Sequence, residues 1–324
     1  MTSSVIIVSY NACSSLRQCL TALHAHPGGG PLEVWVVDNA SADDSPGMVA
    51  REFPDVHLVV NPRNLGFAAA NVQVYGTTQG TYLILLNPDA VVEPDTINTA
   101  LAFMAAEPDC GICGVRLLTP DGRPAPSARR FPNVIDTFFA FSGLSTRFPA
   151  SRLFARSEFR FDEGRDVIEV DWVPGAFTVL RREMLEQVGF FDERFFLYYE
   201  ETDLCLRAKR AGWRVCCLGS TAVRHVGGVS SRQRDDEHYD AGAAQVLRFR
   251  LMSECLYFRK HGGLLPVLAN LGIEIAAHGL RFVLNMGRGD VRRAKRRESA
   301  RIIRHAFGAL RATRCGRISP PKPW

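Results

Sequence analysis

The sequence predicts a doubly wound α/β fold: a mostly parallel sheet with helices on both faces, extended at its C-terminus by further helices. Two observations carry that expectation. Up to residue 106, short runs rich in Val, Ile and Leu alternate with segments of mixed polar and apolar pattern, and after residue 235 the chain reads as helical nearly to its end. The short runs are apolar throughout, as in strands buried on both faces of a parallel sheet.

The elements follow in order. Residues 5–9 give the first strand and 14–25 the first helix. Residues 33–37 give the second strand, with a helix after Asp43, and 56–60 the third, with a helix over 66–80. A fourth strand covers 82–86. The helix over 94–106 opens with Pro94, which a first helical turn tolerates. From about 120 to 166 the chain is rich in Pro, Arg and Phe without a clean period, so a loop-rich insertion that covers or flanks a site is expected. Strands follow over 167–173 and 176–180, then helices over 181–188 and 200–211. Gly212 closes the last of these, in the position a helix C-terminus favours. Short strands are expected over 214–218 and 222–225. No internal repeat is present. The expected division is an α/β domain over residues 1–235 and a helical, basic extension over 236–324.

A length of 324 residues fits one large domain or a domain and a half. An apolar content of 46% with a mean hydropathy of −0.04 can build a soluble core. No basic segment and no cleavable apolar stretch precede the first strand, so no signal peptide is expected. Nine scattered cysteines read as reduced thiols of a cytosolic protein. Cys110-x-x-Cys113 and Cys216-Cys217 lack a matching second pair, which argues against zinc. The net charge of +5 is unevenly spread: residues 288–324 hold twelve Lys/Arg against two Asp/Glu, a local +10, leaving −5 on residues 1–287.

Ligands of doubly wound folds bind at the carboxyl ends of the strands. Three acidic positions stand there. The second strand runs into Asp38-Asn39-Ala40-Ser41, the fourth into Asn87-Pro88-Asp89-Ala90, and a helix start carries Glu200, Glu201 and Asp203. Each has a plain alternative. Asp38 and Asp89 suit turns, Asp203 and Arg207 suit an ion pair four apart on one helix, and Glu200 and Glu201 suit a helix N-terminus. Together they fit glycosyl transfer from a nucleotide diphosphate. Asp38 would hydrogen-bond base and ribose. Asp89 would hold a divalent cation that offsets charge on the departing diphosphate. One of Glu200 and Glu201 would take the acceptor's proton, since a neighbouring like charge raises a carboxyl's pKa.

The sequence resembles family 2 glycosyltransferases, in particular the bacterial rhamnosyltransferase-like branch. The matching blocks are Val5-Ile6-Ile7-Val8-Ser9-Tyr10-Asn11, Val36-Val37-Asp38-Asn39-Ala40-Ser41, Asn64-Leu65-Gly66-Phe67-Ala68, Leu85-Leu86-Asn87-Pro88-Asp89 and Pro174-Gly175-Ala176-Phe177. The long run from Gly189-Phe190-Phe191-Asp192 through Tyr199-Glu200-Glu201-Thr202-Asp203 to Arg207 follows, and His225-Val226-Gly227-Gly228 closes the set. The resemblance implies a GT-A fold and an inverting, metal-dependent transfer. It implies that Ser9, Tyr10, Asn11, Asp38, Asn64, Gly66 and Asn87 bind the nucleotide-sugar, with Gly66 letting the backbone pass close to the ligand. Asp89 would hold Mn²⁺ or Mg²⁺, and His225 would complete the site. Asn87-Pro88-Asp89 carries one carboxylate where many members carry two. Glu201 would be the base, with Glu200 and Asp203 orienting the acceptor or neighbours. Trp172, Pro174, Gly175 and Ala176 would form the floor against donor sugar and acceptor. The implied donor is dTDP-rhamnose, and the implied acceptor a saccharide or lipid-linked glycan of a cell-surface polysaccharide.

Residues 264–286 are apolar but interrupted by Asn270, Glu274, His278 and Arg281, which argues against a membrane span and for an amphipathic helix on a protein or membrane surface. The basic run after it would meet anionic headgroups. Nucleic acid is not an expected partner, because no aromatic interleaving accompanies the charge. The expected location is the cytoplasm, at the inner face of the plasma membrane. A nucleotidyltransferase would want a Gly-rich basic signature near residues 5–20, which hold only Arg17. A Rossmann oxidoreductase would want G-x-G-x-x-G after the first strand. A non-catalytic nucleotide-sugar-binding protein on the same fold is the alternative, and the carboxylates argue against it.

Overall fold

The computed structural model describes residues 2–151, 153–155, 157, 159, 166–226 and 243–320. The first half follows the expected alternation within a few residues: β1 (Ser3–Ser9), α1 (Cys13–Ala25), β2 (Leu32–Asp38), α2 (Ser45–Glu52), β3 (His57–Val60), α3 (Phe67–Tyr75) and β4 (Tyr82–Leu86). Next come β5 (Ala90–Val92), α4 (Thr96–Ala106), β6 (Cys110–Leu118), β7 (Pro124–Ala125), α5 (Val134–Phe141) and α6 (Leu144–Arg147). β8 (Val167–Glu169), β9 (Phe177–Arg181), α7 (Arg182–Val188), α8 (Glu200–Arg210) and β10 (Arg214–His225) complete the α/β part. Three long helices follow, α9 (Ala243–Gly262), α10 (Leu264–Leu284) and α11 (Asp290–Ala312).

One sheet runs β3-β2-β1-β4-β9-β6-β10-β5, with β7 beside β6 and β8 beside β10. β1, β2, β3 and β4 are mutually parallel neighbours, and β10 is parallel to β6. β9 lies antiparallel between β4 and β6, so the six longer-range strands share one direction and β9 opposes them. Alternate residues of β1 feed opposite faces. Val5 and Ile7 pack with α1, α2 and α4, while Ile6 and Val8 pack with α3, α7 and α8. This is the mostly parallel, doubly wound GT-A arrangement.

Several elements differ from the sequence reading. β6 was not anticipated; it is a central strand, yet reads Cys-Gly-Ile-Cys-Gly-Val and lacks the β-branched run of its neighbours. The stretch over 120–166 is not all loop, since α5 and α6 form within it. The strand expected over 167–173 stops at Glu169, and those over 214–218 and 222–225 are one strand whose register against β6 shifts between Leu218 and Ala222. The expected domain boundary at 235/236 falls outside the described residues, as do Gly227 and Gly228.

The C-terminal helices build a third core. Phe249, Leu251, Met252, Cys255 and Leu256 of α9 pack with Val267 and Leu271 of α10, Ala306 and Ala309 of α11, and the fully buried Phe195. In α10 three polar residues share the buried face with Val267 and Leu271. Asn270, Glu274 and His278 are buried, whereas Leu265 is 78% exposed and Leu280, Val283 and Leu284 are also exposed.

Candidate active site

Three parallel neighbours end side by side, with Ser9 level with Asp38 in the β1–β2 register. The Asn39 amide donates to the Ser9 carbonyl at 2.8 Å, so the loops that follow crowd one rim. Because β9 runs the other way, its first residue Phe177 is level with Leu86 at the end of β4. That reversal brings Gly175 and Ala176 to the same rim, where the Asn87 amide donates to the Ala176 carbonyl at 3.1 Å. β10 reaches the rim too. Antiparallel to β5, it sets His225 level with Ala90, and the Val226 amide donates to the Asp89 carbonyl at 3.1 Å.

A cavity of about 660 Å³ opens over this rim. Of the residues expected from the sequence, Ser9, Tyr10, Asn64, Gly66, Asn87, Asp89, Trp172, Gly175, Ala176, Glu201 and His225 line it. Asn11, Asp38, Glu200 and Asp203 are not among its lining residues.

Asp38 is buried, and its carboxylate accepts from the Ser41 amide at 2.9 Å and the Ser41 hydroxyl at 2.5 Å. Burial pushes its pKa up, against the pull of those bonds. Asn11, at φ 49°, accepts from the Ala42 amide at 2.6 Å. Asn11 thus fastens the loop after β1 to the loop after β2, whereas Asp38 closes the loop after β2 on itself. Asn39, which the sequence reading held only as part of a motif, does line the cavity; it donates to the Gly66 carbonyl at 3.3 Å and accepts from Asn61 at 3.0 Å. Gly66 has φ 87°, and a Cβ there would stand 2.5 Å from the Phe196 carbonyl oxygen. Its glycine is therefore required by Phe196, whose carbonyl accepts from the Phe67 amide at 2.8 Å.

Asp89 is 5% exposed, and its Oδ1 lies 3.2 Å from Nε2 of His225. Asn87 Nδ2 is 3.3 Å from the same ring nitrogen. Among the described residues no group of three or more His, Cys, Asp or Glu is arranged to hold a metal. The protein's donor set is therefore one carboxylate and one imidazole facing a cavity. Such a set fits a divalent ion that draws its other ligands from a bound anion and water, and the imidazole suits Mn²⁺ better than Mg²⁺.

Tyr198 and Tyr199 both lie in the left-handed region, at φ 70° and 71°. Bulky residues seldom adopt that conformation, and two in succession mark a strongly determined turn. It launches α8 from the rim. Successive helical residues point about 100° apart, so the two glutamates diverge. Glu201 faces the cavity, its Oε1 accepting from the Gly175 amide at 3.2 Å. Glu200 is 2% exposed, and its Oε2 has no hydrogen-bond partner among the described residues. Burial raises the pKa of both, and the Glu201 charge adds to the effect on Glu200, which lies well above the ordinary carboxylate range. Glu201 thus meets the cavity, while Glu200 is turned into the core.

Asp203 is fully buried and paired three times: with Arg207 at 2.8 Å, Lys260 at 2.7 Å and His261 at 2.7 Å. Burial opposes its ionisation, but these partners hold its pKa below the ordinary value. The ion pair left open by the sequence is formed, and two further partners, Lys260 and His261, come from α9. Asp203 therefore clamps the C-terminal helices onto α8.

The insertion, expected to cover or flank a site, contributes cavity wall, through residues the sequence did not single out. Arg129 bridges Trp172 through backbone, and its guanidinium stands 5.3 Å from the Trp172 ring centre. The Trp172 indole donates to the Arg130 carbonyl at 2.9 Å. Both arginines line the cavity, as do Asn133, Asp136 and Phe141. The helical extension adds Gln245, Phe249, Arg250, Glu254, Asn270 and Glu274.

The sequence model described as "Glycosyl transferase family 2" matches residues 4–189. Among curated relatives, the N-acetylglucosaminyl-diphospho-decaprenol L-rhamnosyltransferase of Mycobacterium tuberculosis is 29% identical over 234 residues, covering 68% of this chain and 75% of the relative. The rhamnosyltransferase WbbL of Escherichia coli is 27% identical over 157 residues, 47% of this chain and 55% of that one. Among solved structures, the mannosyltransferase PcManGT of Pyrobaculum calidifontis, in complex with GDP-Man and Mn²⁺, superposes with a TM-score of 0.56 at 17% identity, over 95% of this chain and 86% of the other.

Proposed function

The chain belongs to glycosyl transferase family 2, and on that premise we propose that it moves rhamnose from dTDP-rhamnose, with inversion, to a hydroxyl of a lipid-linked saccharide in cell-surface polysaccharide synthesis. The observation that carries the reading is that Glu201 and the Asp89–His225 pair open onto one cavity. The rhamnosyltransferase activities of the mycobacterial and E. coli relatives support the sugar, and the diphospho-decaprenol substrate of the former supports the acceptor.

Glu201 removes the proton of the acceptor hydroxyl as that oxygen attacks the anomeric carbon from the face opposite the diphosphate. Gly175 holds the carboxylate in position through its amide. Ser9, Tyr10, Asn39, Asn64 and Asn87 contact the nucleotide-sugar, and Trp172, Gly175 and Ala176 flank the sugar and acceptor. Asp89 and His225 hold a divalent cation, which when bound offsets negative charge on the leaving diphosphate. The Mn²⁺ in PcManGT supports that assignment. Arg129 and Arg130 bring further positive charge to the same cavity.

We assign residues 1–235 to the transferase domain and 236–324 to an extension that rests on the cytoplasmic face of an anionic membrane. α10 is long and apolar enough to cross a bilayer, but its polar residues face inward and its exposed stripe is apolar. Lying beside the basic α11, that stripe suits the boundary between headgroups and acyl chains.

The test is nucleotide diphosphate release by purified protein with dTDP-, UDP- and GDP-sugars, each with Mn²⁺, Mg²⁺ or EDTA. The expected result is metal-requiring turnover, fastest with dTDP-rhamnose. Nucleotide binding without turnover, even with lipid-linked acceptor extracts, would favour a non-catalytic binding protein.

A further inference from the structure

We propose that Asn270 and Glu274 of α10, with Glu254 of α9, form a subsite for a neutral, hydroxyl-bearing ring of the acceptor, in the cavity that holds Glu201. The identification of the occupant as acceptor rests on the transferase reading above.

Asn270 and Glu274 are each 2% exposed and line the cavity. Asn270 Oδ1 and Glu274 Oε2 have no hydrogen-bond partner among the described residues. Native proteins seldom leave buried polar atoms so, and each such atom asks for an explanation. Both atoms are acceptors, so what meets them must bring O–H or N–H donors.

The charges around them narrow the occupant. Arg250 already lies between the carboxylates, donating to Glu254 at 2.6 Å and to Glu274 at 2.7 Å. Asn270 donates its amide to Glu254 as well. A phosphate would face two carboxyl groups, and a cation would compete with a guanidinium already in place. A sugar ring suits both requirements, since it is neutral and rich in hydroxyls. Phe249, Phe258 and Tyr199 add aromatic wall for its C–H faces.

The subsite is joined to the base. The Tyr199 hydroxyl hydrogen-bonds to Glu254, and Tyr199 immediately precedes the two glutamates that open α8. The inward placement of Asn270 and Glu274 follows from the same assignment: a ligand, rather than bulk water, completes their hydrogen bonds.

The experiment is saturation-transfer NMR of the full-length protein with methyl glycosides of N-acetylglucosamine, rhamnose, galactose and mannose, in wild type, Asn270→Ala and Glu274→Gln. Thermal melting checks that both variants fold, and the conservative Gln keeps a partner for Arg250. At least one glycoside is expected to bind the wild type at millimolar concentration, and each variant to weaken it about fivefold, the worth of one hydrogen bond. Equal binding by the folded variants, or no glycoside binding to the wild type, overturns the subsite. Donor turnover by the wild type is read separately. Its failure would strike the transferase reading, while the glycoside result still decides whether a sugar sits here.

Discussion

Replacing Glu201 by Gln removes one negative charge and little else. The amide keeps the length of the side chain, and its oxygen can still accept from the Gly175 amide, now 3.2 Å from Glu201 Oε1. The fold and the cavity wall should therefore survive, and nucleotide affinity should stay within a few fold. Only the proton acceptor is lost. General-base catalysis contributes roughly 10²–10⁴-fold, which corresponds to about 3–5 kcal/mol of barrier. Transfer by Glu201→Gln should fall by that factor at saturating donor. The pH profile supplies a second reading. Burial raises the Glu201 pKa from its ordinary value of 4.5. The base must be ionised to work, so kcat/KM should rise with pH along a limb displaced upward from the ordinary carboxylate range, and the variant's residual rate should lack that limb. Glu200→Gln is the control. Glu200 lies outside the cavity lining, and burial together with the neighbouring Glu201 raises its pKa and disfavours its charge, so an uncharged isostere should leave kcat within about threefold. The assay is nucleotide diphosphate release with added acceptor, beside nucleotide binding by calorimetry. A Glu201→Gln enzyme within tenfold of wild type, or a Glu200→Gln enzyme as damaged as Glu201→Gln, would refute the assignment.

Gly175→Ala would put a Cβ 2.5 Å from Glu201 Oε1; because that atom ends a flexible side chain, kcat should drop about tenfold or more with a nearly unchanged Tm. His225→Ala should raise the Mn²⁺ concentration for half-maximal activity roughly tenfold, and EDTA should abolish wild-type turnover; activity indifferent to both would remove the metal from the scheme. Glu254, buried beside Glu274, has its pKa pushed up to about 7 from 4.5. The group binds its proton more tightly when folded, so its contribution is complete below about pH 4.5 and lost as pH rises through 7, in total about 3 kcal/mol. Glu254→Gln should therefore flatten the decline of Tm between those pH values relative to wild type. Co-sedimentation with anionic vesicles should exceed that with zwitterionic ones and weaken with salt, and Leu265→Ser with Leu280→Ser should reduce it; equal recovery on both vesicle types would discard the membrane assignment.

The parallel half was legible because each strand there is buried on both faces and so reads as an unbroken apolar run. The rim followed from the same logic, since polar residues at the ends of such runs converge wherever the strands are parallel. β6 escaped for a tertiary reason. Gly111 leaves room for Met184 and Trp213, and Gly114 for Val173, each of which a Cβ would meet at 3.0 Å or less. Packing from outside the strand thus replaced the β-branched residues that would have announced it. α5 escaped because it is only eight residues long and sits in a stretch rich in Pro, Arg and Phe, too short for a helical period to stand out. At the site, spacing could pair Glu200 with Glu201 but could not divide their roles. That division depends on the helical turn that points one at Gly175 and the other into the core. Arg129, Arg130 and the cluster on α9 and α10 were illegible because they reach the cavity only through long-range packing.

On the proposed function, the C-terminal helices bear on the position of Glu201 for an electrostatic reason. The family match ends at residue 189, before α8 begins at Glu200. What fixes α8 is partly Asp203, and two of its three side-chain partners, Lys260 and His261, belong to α9. Removing a partner from a fully buried charge costs about 3–5 kcal/mol, enough to displace the first turn of α8 and Glu201 with it. α9 is in turn packed against α10 and α11 in one core. A surface that engages α10 and α11 therefore acts on elements in continuous contact with the base-bearing helix, and Arg250, Glu254, Asn270 and Glu274 of the same helices form wall of the same cavity. On the proposed function, Asp203 and its α9 partners would link the C-terminal helices to the position of Glu201.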